Sequence, residues 1–174
     1  MEAFWRKGYE ATSLVDLTER TGLNKASLYR VFGDKHQLFK AALKNYADME
    51  FREVKAVISE TATPLENIRA VVDKITQDSA HEKGCMMINS LVELGPHDAE
   101  VAQMLEGFSN QRIGALTHMI SLARECGEIR AELDPASLAR GLMITFAGSA
   151  AMAKGFMPLE QIRENLEYLI DSWI

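Results

Sequence analysis

The sequence predicts an all-α protein in two parts, and three observations carry that prediction. Apolar residues recur at the three- and four-residue spacing of an amphipathic helix through nearly every segment. The breakers Gly8, Gly22, Gly95-Pro96, Pro135 and Pro158 fall between those segments. Charge is also divided. The whole chain carries −6, but residues 1–46 hold eight Lys/Arg against five acids, and the remainder 11 against 20. Within residues 22–46 the balance is five basic to one acidic. Such asymmetry suggests two jobs and a division into residues 1–46 and 47–174.

The elements follow in order. Met1 to Lys7 reads as a helix end stopped by Gly8. Ser13 with Asp16 three residues later is an N-cap signature, opening a short helix to about Thr21. Gly22-Leu23 makes a turn, and Asn24 caps a second short helix to Phe32. Asp34 caps a longer one to about Glu60, with Leu38, Phe39, Ala42, Leu43 and Tyr46 on one side. Pro64 suits a first helical turn, followed by the stripe Leu65, Ile68, Val71, Val72 and Ile75. Cys85 to Leu94 is apolar on two sides, Cys85, Ile88 and Val92 against Met87, Leu91 and Leu94, which predicts burial between neighbours. Asp98 caps a long helix to about Cys126, with Val101, Leu105, Phe108, Ala115 and Met119 on one stripe. Asp134-Pro135 opens the next, ending near Gly155, and Pro158 opens the last, with Leu159, Ile162, Leu166, Leu169 and Trp173.

Composition excludes several classes. With 174 residues, 47% hydrophobic, 11 Gly and 4 Pro, the chain is neither collagenous nor disordered. No apolar run long enough to cross a bilayer and no signal peptide are expected, so no membrane partner is. Cys85 and Cys126 show neither CxxC nor Cys/His spacing, which fits a reducing cytoplasm. His36, His81, His97 and His118 are scattered without a second ligand type, so no metal, cofactor or enzymatic role is expected.

The basic part has the layout of a helix-turn-helix, which needs a support helix, a tight turn and a recognition helix. Gly22 supplies the turn, and Leu17, Leu23, Leu28 and Val31 are expected to face one another. Asn24 to Val31 then leaves Lys25, Ala26, Ser27, Tyr29 and Arg30 free. Eight residues of helix span about 12 Å, roughly a major-groove width.

The strings Phe4–Ser13 (FWRKGYEATS), Thr21–Phe32 (TGLNKASLYRVF) and Asp34–Phe39 (DKHQLF) closely resemble the DNA-binding domain of TetR-family transcriptional repressors. Gly84–Ser90 and Gly127–Arg130 resemble that family's ligand-binding and dimerisation domain more loosely. The resemblance implies an N-terminal three-helix DNA-binding domain, a C-terminal helical effector and dimerisation domain, and a ligand-responsive repressor. Its partners would be a palindromic double-stranded operator, a second copy of the chain, and a small-molecule effector or thiol modifier. Thr12 and Ser13 at a helix start match phosphate contacts, or act as caps. Tyr29 matches a phosphate contact through its hydroxyl, or packs its ring on the long helix. Lys35 and His36 match phosphate anchors. Lys25, Ala26, Ser27 and Arg30 are candidates for base edges, Arg30 bidentate to guanine. The family's first helix is about a dozen residues longer than the segment before Gly8, so the first helix reads as truncated.

The last two helices match the family's dimer elements. Gly141, Thr145, Gly148 and Met152 form one stripe, opposite Ala139, Met143, Phe146 and Ala150, and a helix apolar on both sides must be covered twice. With Ile162, Leu166 and Leu169 they are expected to form a four-helix interface. Effector candidates are Cys85, Asn89, Phe108, Arg112, Met119 and Phe146. An Arg on an apolar stripe either meets a polar effector or pairs with an internal acid. Cys85 at a helix start is either a reactive thiol, as in thiol-responsive members of the family, or an inert buried one. The alternative is an all-α small-molecule-binding protein or enzyme with a vestigial DNA-binding domain.

Overall fold

A computed structural model describes residues 1–77 and 83–174, so His81 lies outside the described residues. The described chain is all helical. In order it runs α1 (Glu2–Lys7), α2 (Leu14–Thr21), α3 (Lys25–Phe32), α4 (Lys35–Ala56), α5 (Pro64–Gln77), α6 (Met86–Leu94), α7 (Ala99–Glu125), α8 (Pro135–Gly155) and α9 (Leu159–Asp171).

Local hydrogen bonds explain where these helices begin. Ser13 Oγ accepts the Asp16 amide at 3.1 Å while Asp16 accepts the Ser13 amide at 2.8 Å, closing a capping box. Asn24, Asp34, Asp98 and Asp134 cap α3, α4, α7 and α8 in the same way, each taking the amide three residues on. α4 stops at Ala56, short of the expected Glu60. Its continuation is captured by a side chain: Asn67 accepts the Ser59 amide at 2.8 Å and donates to the Ser59 carbonyl at 2.9 Å. That pair replaces the partners a further helical turn would offer.

Two apolar cores result. The first joins Phe4, Trp5, Leu17, Leu28, Phe39 and Leu43 of α1–α4 to residues of α6 and the start of α7. The second joins α5, the later part of α7, α8 and α9 around Ile68, Ile120, Leu142, Leu166 and Ile170. The 27-residue α7 enters both.

Several expectations are corrected here. Val31 is 63% exposed and Leu23 41%, so neither closes the helix-turn-helix. The inward pair on α3 is Leu28 with Phe32, an i,i+4 pair that turns Val31 outward. α6 packs on α4, α7 and α8 but is not enclosed, which leaves Leu91 48% and Val92 75% exposed. Ile162 and Leu166 are buried in their own chain's core, with Leu169 packed beside them. α9 has a single apolar stripe, and α5 and α8 already cover it. The expectation of no bilayer-length apolar run also fails for α8, which is long and apolar enough by length and composition. One face of that helix buries Ala139, Leu142 and Phe146 within the protein.

The caps make a pH prediction. The Val101 amide, and then His36, hold the Asp98 carboxyl below its ordinary 3.8. A depressed carboxyl contributes its stability fully above the unfolded value and loses it as pH falls through the folded one. Asp98→Ala is therefore expected to be about 1 kcal/mol less stable at neutral pH. In denaturant titrations the gap to the native chain should close below about pH 4. A gap that persists in acid would show that the carboxylate is not its source.

Candidate functional site

The recognition unit is set by a turn only glycine adopts easily. Gly22 has φ 68°, and its amide caps α2 on the Thr18 carbonyl at 2.9 Å. Asn24 starts α3 two residues later, which leaves Lys25, Ala26 and Arg30 exposed, and Ser27 and Tyr29 half-buried. The Lys25 ammonium sits 5.7 Å from the Tyr29 ring centre. Ser13 is exposed at the start of α2.

Of the expected phosphate contacts, Thr12 is turned inward, while the half-buried Lys35 and His36 have partners within the protein. Thr12 is fully buried and donates its hydroxyl to the Gly8 carbonyl at 2.6 Å, so it braces the loop after α1. His36 Nε2 lies 2.6 Å from Asp98 Oδ2, with its ring edge-on to Tyr9, so it faces the α6–α7 junction. Lys35 donates to the Glu10 carbonyl at 3.3 Å and lies over the Tyr9 ring. Tyr9 lies against both side chains, with its ring packed on Phe4 of α1 and Phe39 of α4.

The structure adds a link that no motif announced. Glu93, near the end of α6, accepts the backbone amides of both Tyr9 and Glu10 at 2.9 Å. Gly8 makes this possible: it has φ 81°, and a Cβ there would meet Glu93 Oε2 at 2.6 Å. Lys40 on α4 reaches Glu100 on α7 at 2.5 Å. Glu93, Asp98 and Glu100 thus bind the basic part to one junction of the acidic body.

The other side of α6 borders a cavity of about 740 Å³ walled by α4, α5, α6, α7 and α8. That size suits a small organic molecule. Cys85, Arg112, Met119 and Phe146 line it as expected. Asn89 and Phe108 do not. Asn89 donates to the Lys83 carbonyl at 2.8 Å and holds the loop before α6. Phe108 packs on the first core beside a separate hollow of about 40 Å³.

Arg112 finds an internal acid. Its Nη2 donates to Glu50 Oε2 at 2.5 Å, and the Tyr46 hydroxyl donates to Glu50 Oε1. Burial, with Glu50 nearby, pushes the Cys85 thiol up, which opposes thiolate formation. Burial, with Cys85 and Glu50, also pushes the Tyr46 phenol up. Trp5 of α1 joins the same wall, donating from Nε1 to the Gly84 carbonyl at 2.7 Å and meeting the Tyr46 ring at 4.9 Å. Sequence reasoning missed Trp5, Glu50 and Glu93. Only the spacing of Glu50 four residues after Tyr46 hinted at a shared face.

Comparison with known proteins matches two stretches of the chain. Residues 1–42 match the family described as bacterial regulatory proteins, tetR family, and residues 64–169 match the tetracyclin repressor-like C-terminal domain. The uncharacterized HTH-type transcriptional regulator YezE of Bacillus subtilis (strain 168) is 31% identical over 171 residues, covering 96% of this chain and 88% of that protein. The HTH-type transcriptional repressor ComR of Escherichia coli (strain K12) is 31% identical over 181 residues, covering 99% and 84%. A cysteine mutant of the TetR family regulator CifR, solved with 26-base-pair operator DNA, has the same fold at a TM-score of 0.85 and 24% identity, over 99% of this chain and 91% of that one. These relatives are transcriptional regulators rather than enzymes. With both its reading head and its helical body matched, the chain belongs to the TetR family of bacterial regulatory proteins.

Proposed function

We propose that this regulator is a ligand-responsive repressor that acts as a homodimer on a palindromic operator in the cytoplasm. The observation that carries the reading is the double use of α6. Met87, Ile88 and Leu91 of α6 border the cavity, while its Glu93 holds the loop leading into the helix-turn-helix. A ligand that prefers one position of α6 therefore biases the reading head, by as much as its affinities for the two positions differ. The proposed effector contacts are Cys85, Arg112, Met119 and Phe146. Desolvation of Cys85 favours a bound small molecule over thiol modification.

Gly141, Ile144, Gly148 and Met152 are exposed on α8 and supply the proposed dimer face, with Thr145 half-buried beside them. Two recognition helices about 34 Å apart would then enter successive major grooves. On each, Lys25, Ala26, Ser27 and Arg30 would meet base edges, and Ser13 and Tyr29 the phosphates.

The direct experiment titrates purified protein against DNA flanking its own gene in moderate salt, with scrambled DNA as competitor. Binding without sequence preference overturns the reading. Tyr29→Ala should weaken every operator variant alike. Arg30→Ala should cost about 1–3 kcal/mol on the native site and relax preference at one base pair. An Arg30→Ala protein that loses the same affinity on every variant removes Arg30 from base readout.

A further inference from the structure

Resting on the reading of the cavity as the effector site, the structure points to the ligand's chemistry. We infer that the cavity selects an uncharged apolar molecule bearing a hydrogen-bond-accepting head, such as an ester, ketone or amide. The head sits at the Trp5, Tyr46, Cys85 and Arg112 end.

The walls are mostly apolar, with Val54, Ile58, Val71 and Met87 among them. The polar end is already neutral as a unit. Arg112 is held by Glu50 at 2.5 Å, and the Tyr46 hydroxyl is given to the same carboxylate. The side chains of Arg112 and Glu50 are 20% and 27% exposed, so water screens this pair weakly. Lys74, also on the wall, pairs with Glu53 at 3.0 Å.

A ligand carboxylate would bring a second negative charge beside Glu50 with one guanidinium to share. A ligand ammonium would leave water to sit beside Arg112. Both face a desolvation cost that the preformed pair does not offset. An uncharged acceptor avoids that cost. Glu50 engages Nη2 of a guanidinium with five N–H donors, so the remaining fork can donate to the head. The body of the ligand then lies against the apolar wall, where buried area supplies the affinity.

Trp5 makes occupancy readable and gives it a consequence. Its indole belongs to α1, the first helix of the reading head, yet it borders the cavity and meets the Tyr46 ring edge to face. A head group at this end touches the DNA-binding part directly.

The test uses the full chain carrying Trp173→Phe, which leaves Trp5 as the remaining one of 2 tryptophans. Methyl decanoate, decanoate and decylammonium share one body and differ in the charge of the head. Each is titrated while Trp5 emission is followed, with calorimetry in parallel. Methyl decanoate is expected to bind at least about tenfold tighter than either ion. Glu50→Gln should raise decanoate affinity about tenfold, because Arg112 is then uncompensated. Arg112→Gln should do the same for decylammonium, and either exchange is beyond a merely structural role for the pair. Tighter binding of decanoate or decylammonium to the unsubstituted cavity overturns the inference and leaves the effector site standing. No saturable response to any of the three overturns both.

Discussion

An Ile144→Glu chain is expected to stay helical, to elute as a monomer, and to lose at least about 100-fold in operator affinity. Ile144 is 73% exposed, so its replacement removes little from the chain's own core. The inner face of α8 keeps Ala139, Leu142 and Phe146 buried. On the outer face, added Cβ atoms at Gly141 and Gly148 would meet nothing within 4 Å, so a second helix can approach the backbone closely. Phe156 and Tyr168 are also 81% and 78% exposed, which adds apolar surface for the proposed dimer face. At a two-fold interface each substitution appears twice. The new carboxylates would lose water in an apolar setting and repel each other. A monomer holds one half-site at a time and forfeits the effective concentration that links two. Size exclusion with light scattering and a gel-shift titration give both readouts. A persistent Ile144→Glu dimer would remove α8 from the interface.

The second large effect concerns Glu93. Glu93→Ala deletes two hydrogen bonds from a carboxylate to the Tyr9 and Glu10 amides, both 2.9 Å long. Hydrogen bonds to a charged group contribute about 1.5–3 kcal/mol each when shielded. The Glu10 amide is exposed, so the pair is expected at the low end, about 2–3 kcal/mol in all. Amide exchange at Tyr9 and Glu10 should quicken roughly 30- to 150-fold, with the second core around Ile68 and Ile120 unchanged. Glu93→Gln, whose amide oxygen still accepts, should fall between. The same substitution should blunt the response of DNA binding to an occupied cavity, since α6 would no longer grip the loop. Unchanged exchange at both amides would show that Glu93 does not hold the head.

The positions expected as phosphate contacts show why such links escape a sequence reading. Thr12, Lys35 and His36 stand where the resemblance puts phosphate anchors, and polar side chains beside a helix start suit that role. Here folding gives them partners within the protein: the Gly8 carbonyl, the Glu10 carbonyl and Asp98 respectively. Asp98, 62 residues from His36, was legible as a cap and in no other role. Arg112 was legible as a residue in need of a partner, but Glu50 was one of many acids until folding brought it within 2.5 Å.

Taken by itself, the sequence determined the helix starts, the glycine turn between α2 and α3, the basic reading head and the family. All of these rest on contacts three or four residues apart, or on a contiguous motif, so neighbouring letters contain them. It also showed that α8 has two apolar faces. Only the tertiary structure decided which face is open, that Leu166 of α9 points home, and that Trp5 and Glu93 tie the reading head to the cavity. Periodicity says that a face must be covered, but what covers it depends on segments some 60 to 100 residues away. Those pairings are set by packing.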